Sequence, residues 1–192
     1  MLNLPKLPRN LPSPWKEFLA NLDSKLEVSV ELHCLGGFAV SVAYGFDDFR
    51  PTGDIDYTAV IPSNRGEVLE ELAGRGSALA VKHRVYLQRV GVGDVPVEYE
   101  SRVIEVFGGM FSNLCLKVLD PYDLILSKLT RNYPIDQRDT QFLATACELR
   151  GKEFERRYHE ELRPYIMTGP LERHDLTLRL WLEEYFSKGD QE

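Results

Sequence analysis

Gly36-Gly37-Phe38-Ala39-Val40-Ser41-Val42-Ala43-Tyr44-Gly45, then Arg50-Pro51-Thr52-Gly53-Asp54-Ile55-Asp56-Tyr57-Thr58-Ala59-Val60-Ile61, is the stretch whose reading decides the fold. Its last eight residues are rich in β-branched and aromatic types and end at Pro62-Ser63-Asn64, so a strand is expected over residues 54–61. Residues two apart in a strand share a face, which points Asp54 and Asp56 together and Ile55 and Tyr57 the other way. Paired carboxylates of this kind suit Mg2+, which binds through one or two carboxylates, water and substrate phosphates. Gly36-Gly37 at a strand-to-helix junction lets backbone approach an anion closely. Each feature alone also fits a tight turn or a solvated strand end. Together they suggest a triphosphate notch beside a metal-binding pair.

Upstream, residues 27–33 alternate, with Val28, Val30 and Leu32 on one face and Ser29, Glu31 and His33 on the other, which predicts a half-buried strand with a solvated His33. A helix is expected over residues 14–22, with a proline in its first turn, after a proline-rich lead-in. Downstream, residues 67–73 have helical spacing. Strands are expected at 85–90 and 95–100 around a Gly91-Val92-Gly93-Asp94 turn, and another at 114–118. From Asp120-Pro121-Tyr122-Asp123, which offers an N-cap, a first-turn proline and a first-turn acid, the pattern turns helical: about 120–131, 134–149, 152–165 and 171–187. The expected fold is α+β: a mixed sheet flanked by helices, with a C-terminal helical subdomain. Its expected divisions are an N-terminal extension and helix (1–26), an α/β core (27–119) and a helical part (120–192).

The chain has 192 residues, 43% hydrophobic and 28% charged, an ordinary globular composition. A formal charge of −7 argues against a generic nucleic-acid coat, though not against a local basic groove. Cys34, Cys115 and Cys147 are too few and scattered for a disulfide framework or a Cys-x-x-Cys zinc site, and read as small buried apolar residues. Prolines interrupt the amino terminus where a signal peptide needs an apolar run, and no segment reaches transmembrane length. A soluble, cytoplasmic protein with no membrane partner is therefore expected.

A third carboxylate would complete a cation site. The alternation of residues 95–100 puts Glu98 and Glu100 on one face, where either would bridge metal or accept an acceptor's proton if that strand neighboured the aspartates. An exposed polar strand face is the plainer alternative. In the helical half, Ile135, Phe142, Leu143 and Ala146 form an apolar stripe that Asp139 interrupts. Lys128, bordering the apolar face of the preceding helix, is its natural partner. The pair reads either as a structural ion pair or as a lysine oriented toward triphosphate oxygens. His83, His159 and His174 show no metal-ligand spacing, and the mixed charges of residues 150–157 read as a solvated helix face.

At Leu35-Gly36-Gly37, at Arg50-x-Thr52-x-Asp54-Ile55-Asp56, and at Leu124-Ile125-x-x-Lys128-Leu129 followed by Arg138-Asp139, the chain resembles the polymerase-beta-like nucleotidyltransferase superfamily. It looks closest to the small bacterial branch that contains abortive-infection toxin nucleotidyltransferases. The resemblance covers roughly residues 27–149. It implies that Asp54 and Asp56 bind Mg2+ (or Mn2+); Glu98 is the candidate for a further metal ligand, with Glu100 the alternative third carboxylate. Gly36 and Gly37, with Arg50 and Thr52, would hold an NTP such as ATP. Lys128 and Asp139 match the family's lysine and later aspartate. Gly-Gly stands where many relatives have Gly-Ser, and Glu98 and Glu100 replace the more usual aspartate.

The implied activity is transfer of an NMP from an NTP to an acceptor hydroxyl on an RNA end such as tRNA, or on a protein. A toxin role with a cognate antitoxin goes with that branch. Two rivals stand beside it: a non-catalytic nucleotide-binding or protein-interaction module on the same fold, and nucleotidyl transfer to a small molecule such as an antibiotic.

Overall fold

The computed structural model describes residues 10–46, 52–91 and 94–186. They form two compact units. Among the described residues, a sheet unit is drawn from residues 10–46, 52–91 and 103–118, and a helical unit from residues 94–102 and 119–186.

In the sheet unit, α1 (Trp15–Asp23) buries Trp15, Phe18, Leu19 and Leu22, the i, i+3, i+4, i+7 stripe of an amphipathic helix. The Trp15 ring lies edge-on to Phe38, with centroids 5.2 Å apart. At the helix end the Asp23 carboxylate accepts the backbone N–H groups of Ser112 (3.1 Å), Asn113 (2.7 Å) and Leu114 (2.8 Å). Five strands follow in space in the order β3-β2-β1-β5-β4. They are β1 (Val30–Leu35), β2 (Asp54–Ile61), β3 (Tyr86–Arg89), β4 (Ile104–Val106) and β5 (Leu114–Val118). β1 pairs antiparallel with β2 and parallel with β5, β2 pairs parallel with β3, and β4 pairs antiparallel with β5. Between β1 and β2 the chain makes α2 (Gly36–Phe38), which widens into five-residue turns over Ala39–Ala43. Between β2 and β3 lie α3 (Gly66–Ala73) and α4 (Ala78–His83). The latter is capped by the Ser77 hydroxyl, which accepts from Ala80 N–H at 3.1 Å.

A mixed α+β architecture is what the sequence predicts, and β2 starts and stops at the expected residues. β1 does not: it starts at Val30, leaves Val28 exposed, and buries His33 to 2% exposure. His33 is therefore not the solvated histidine expected. β1 has a strand on either side, and the His33 imidazole is hydrogen-bonded at 2.8 Å to Glu31, which also meets Lys117 at 2.8 Å. Cys34 and Cys147 are buried as expected, and Cys115 is half-buried. Burial, and after it the charge of Asp56, pushes the Cys34 thiol up.

The expected strand at 95–100 is absent. Residues 94–98 are irregular and a short 3-10 turn follows at Tyr99–Ser101. Pro96 brings no donor to a ladder, the Val97 N–H donates instead to the Glu161 carbonyl (3.1 Å), and this segment belongs to the helical unit. The expected turn at 91–94 includes residues 92 and 93, which lie outside the described residues.

The helical unit contains α5 (Pro121–Leu129), α6 (Pro134–Ala146), α7 (Gly151–Arg157) and α8 (Leu171–Tyr185). The Asp120 carboxylate caps α5 by accepting the Asp123 N–H at 2.9 Å, and Pro121 sits in its first turn. The solvated face expected for residues 150–157 is only half real. Arg156 is exposed, but Arg157 is 6% exposed. Its guanidinium donates to Asp120 (2.8 and 3.0 Å), Asp123 (3.0 Å) and Glu153, and stacks 4.7 Å from the Tyr122 ring centroid. Arg102 adds a forked pair to Asp123 (2.9 and 3.0 Å) and a bond to Glu161 (2.6 Å).

Burial pushes the fully enclosed Asp123 carboxyl up to about 6, outweighing Arg102, with the neighbouring Asp120 charge acting in the same upward direction. An unfolded aspartate titrates near ~3.9. Between those values the folded chain holds a proton that the unfolded chain has released. This stabilisation is full below the unfolded value and is lost as pH rises through about 6. Thermal melts from pH 4 to 7 should show wild-type stability falling relative to Asp123→Asn, whose side chain stays neutral. Parallel curves would refute that linkage.

Candidate active site

Asp54 and Asp56 stand at the start of β2, both half-exposed on one face, while Ile55 and Tyr57 are fully buried on the other. The register sets their surroundings. Leu35, the residue before Gly36, pairs with Asp56, so the turn into α2 lies against that carboxylate. Gly36 has a φ of +71°, and a Cβ there would overlap the Asp56 Oδ2 atom. The glycine pair and the aspartate pair therefore meet in space, with bare backbone beside carboxylate. Thr52 lies on the other flank: its hydroxyl donates to the Asp54 carbonyl (3.2 Å) and reaches Oδ1 of the same residue (3.4 Å). Arg50 lies outside the described residues.

β3 supplies what residue patterns did not reveal. Its parallel register puts Tyr86 opposite Asp54 and Gln88 opposite Asp56. The Tyr86 phenol donates to Asp54 Oδ2 at 3.3 Å, and the Arg75 guanidinium donates to the Tyr86 oxygen at 2.9 Å. Along the sheet, then, a phenol and an amide neighbour the aspartates. The available signal was the β-type run at 85–90, but strand pairing fixes which residue faces which, and pairing is not written in a single strand.

Glu98 and Glu100 are exposed, at the irregular segment and 3-10 turn of the helical unit, so the strand on which their shared face was expected does not exist. Lys128 and Asp139 do meet. The ammonium lies 2.8 Å from Asp139 Oδ2 and 3.6 Å from Asp136 Oδ1, with Lys128 2% and Asp139 1% exposed. Asp136 also takes a forked pair from Arg131 (2.7 and 3.2 Å) and the Tyr133 N–H (3.1 Å). The inward face of α6 is accordingly Asp136, Asp139, Thr140, Leu143 and Ala144. Ile135, Phe142 and Ala146 of the expected stripe are only half-buried. Lys128 pairs with Asp139 and Asp136, Arg131 forks onto Asp136, and the Thr140 hydroxyl donates to the Asp136 carbonyl (2.8 Å), which lets these polar residues face inward.

Among the described residues, no group of three or more His, Cys, Asp or Glu side chains is arranged to hold a metal ion. No described helix is long and apolar enough to cross a membrane. No curated protein and no solved structure matches the chain. A family model does: that of a nucleotidyltransferase of unknown function (DUF6036) matches residues 15–183, most of the chain including both the aspartate pair and the helical half, and the protein belongs to that family.

Proposed function

We propose that the protein is a Mg2+-dependent nucleotidyltransferase that moves an NMP from an NTP to an acceptor hydroxyl. The observation that carries this reading is the meeting of Gly36 and Asp56, with Asp54 on the same face of β2. The donor set fits a hard divalent cation: two half-exposed carboxylates, with bare backbone at Gly36, where any side chain would collide with Asp56. Asp54 and Asp56 would hold the ion, which when bound neutralises charge on the triphosphate and the leaving group. Gly36 and Gly37 would present bare main chain to the phosphate oxygens, and the hydroxyl of Thr52 steadies Asp54. In the transfer, the acceptor oxygen bonds to the α-phosphorus and the α–β bridging bond breaks. Pyrophosphate leaves with that electron pair, and the acceptor's proton passes to a site carboxylate or water.

An RNA end such as tRNA, or a protein hydroxyl, is the acceptor class we put first. A toxin role with a cognate antitoxin is the biological setting that goes with it. A second reading, NTP binding without turnover, is favoured by Tyr86 and Gln88 opposite the aspartates and by the exposure of Glu98 and Glu100. We take Lys128 with Asp139 as a structural ion pair of the helical unit. Incubation with α-labelled NTPs, Mg2+ and total RNA or protein should give label transfer by wild type and none by Asp54→Ala/Asp56→Ala. Calorimetric NTP binding with no transfer to any acceptor would select the second reading, and no binding at all would reject both.

A further inference from the structure

We infer that Arg75 is the phosphate-binding cation of the aspartate site, a role no sequence pattern assigned to it. Arg75 lies between Gly74 and Gly76 in the link from α3 to α4. Three contacts hold it in place. Gly74 forms a backbone bridge to Leu87, which ties the link to β3 beside Tyr86. The guanidinium carbon then sits 5.1 Å from the Tyr86 ring centroid, and one nitrogen donates to the Tyr86 oxygen at 2.9 Å. That same oxygen donates to Asp54 at 3.3 Å, so one phenolic group separates an exposed cation from the carboxylate pair.

Charge decides what such a cation does. Two aspartates and one divalent ion sum to zero, so an NTP's triphosphate, about four negative charges at neutral pH, still needs positive charge from the protein. Lys128 is buried and already balanced by Asp139 and Asp136. Arg75 is exposed, shares the sheet unit with Asp54, Asp56 and Gly36, and among the described residues bonds only the Tyr86 phenol, which leaves guanidinium donors for phosphate oxygens. Guanidinium pairs with phosphate in a forked geometry that lysine does not reproduce. Stacking on Tyr86 fixes one face of the group and so reduces the ordering cost of capture. Gly76, at φ +87°, lets the link turn away directly after Arg75.

This inference rests on the nucleotide-binding reading of the aspartate site, and calorimetry with Mg2+ and inorganic tripolyphosphate separates the two. Wild type should bind the probe. Arg75→Met should bind it about ten- to a hundred-fold more weakly, the range of a lost charged hydrogen bond, and Arg75→Lys should fall between. Arg179→Met, which removes an exposed arginine of α8, should match wild type and controls for net charge. Mn2+ titration without the probe tests the aspartates, and Arg75→Met should retain Mn2+ binding that Asp54→Asn abolishes. Equal tripolyphosphate affinity in wild type and Arg75→Met, with Mn2+ binding intact, overturns the role of Arg75 and leaves the site standing. Absence of both Mn2+ and tripolyphosphate binding in wild type overturns the site as well.

Discussion

Replacing Arg157 with alanine is expected to destabilise the protein by about 3–5 kcal/mol, the usual cost of removing one partner from a buried ion pair. Asp120 and Asp123 are almost wholly enclosed, and the Arg157 guanidinium meets both, while Tyr122 covers its flat face. Removal would leave Asp123 to Arg102 alone and would strip Asp120 of the only cation it contacts among the described residues. Against a typical stability of about 5–15 kcal/mol the loss is severe. Arg157→Lys should recover only part of it, because an ammonium lacks the flat face that covers the Tyr122 ring and the second nitrogen that reaches Glu153. A triple variant, Arg157→Met with Asp120→Asn and Asp123→Asn, should be more stable than Arg157→Ala, since no enclosed charge is then uncompensated. Urea midpoints test this. A loss below about 1 kcal/mol for Arg157→Ala would mean that water reaches the cluster and that its burial is not what sets its energetics.

The second large effect is expected at Gly36. Gly36→Ala incurs about 1–2 kcal/mol for a left-handed backbone conformation in an L-residue. Its methyl group also collides with the Asp56 carboxylate, which has to rotate away or push α2 outward. Either response separates Asp56 from Asp54. Mn2+ affinity should therefore fall about tenfold or more, roughly the value of one charged ligand contact, alongside a lower melting temperature. Gly53→Ala supplies the comparison: it adds the same methyl group one residue before Asp54, where nothing lies within 4 Å. That variant should bind Mn2+ like wild type. Loss of stability without loss of Mn2+ binding in Gly36→Ala would make the glycine a folding requirement and remove it from the site.

Both predictions depend on features that differ in how visibly they are written along the chain. Gly36 and the Asp54-x-Asp56 pair are local: a turn that needs a positive φ takes glycine, and strand alternation alone puts the aspartates on one face. The N-cap at Asp120 and the apolar stripe of α1 are local in the same way. Arg157 is not. Two adjacent arginines on a short helix give no sign of which one turns inward, and the choice depends on Asp120 and Asp123 lying across from it. Residues 95–100 show the converse, a period-two pattern with no strand, because Pro96, Val97 and Arg102 find their partners in the helical unit. His33 sits on what alternation marks as a wet face, yet it is buried there and bonds Glu31, which Lys117 of the adjacent β5 holds in turn.

By itself, then, the sequence determined the α+β class, the bounds of β2, the pairing of Asp54 with Asp56 and the glycine turn before them. These follow from backbone sterics and side-chain period, which act over a few residues. Only the tertiary structure decided that Gly36 abuts Asp56, that Tyr86 and Gln88 rather than acids face the aspartates, that Arg75 is stacked beside them, and that Arg157 is buried. Strand register and helix packing choose among distant partners by burying apolar area and satisfying every enclosed charge at once. No single stretch of chain carries that information.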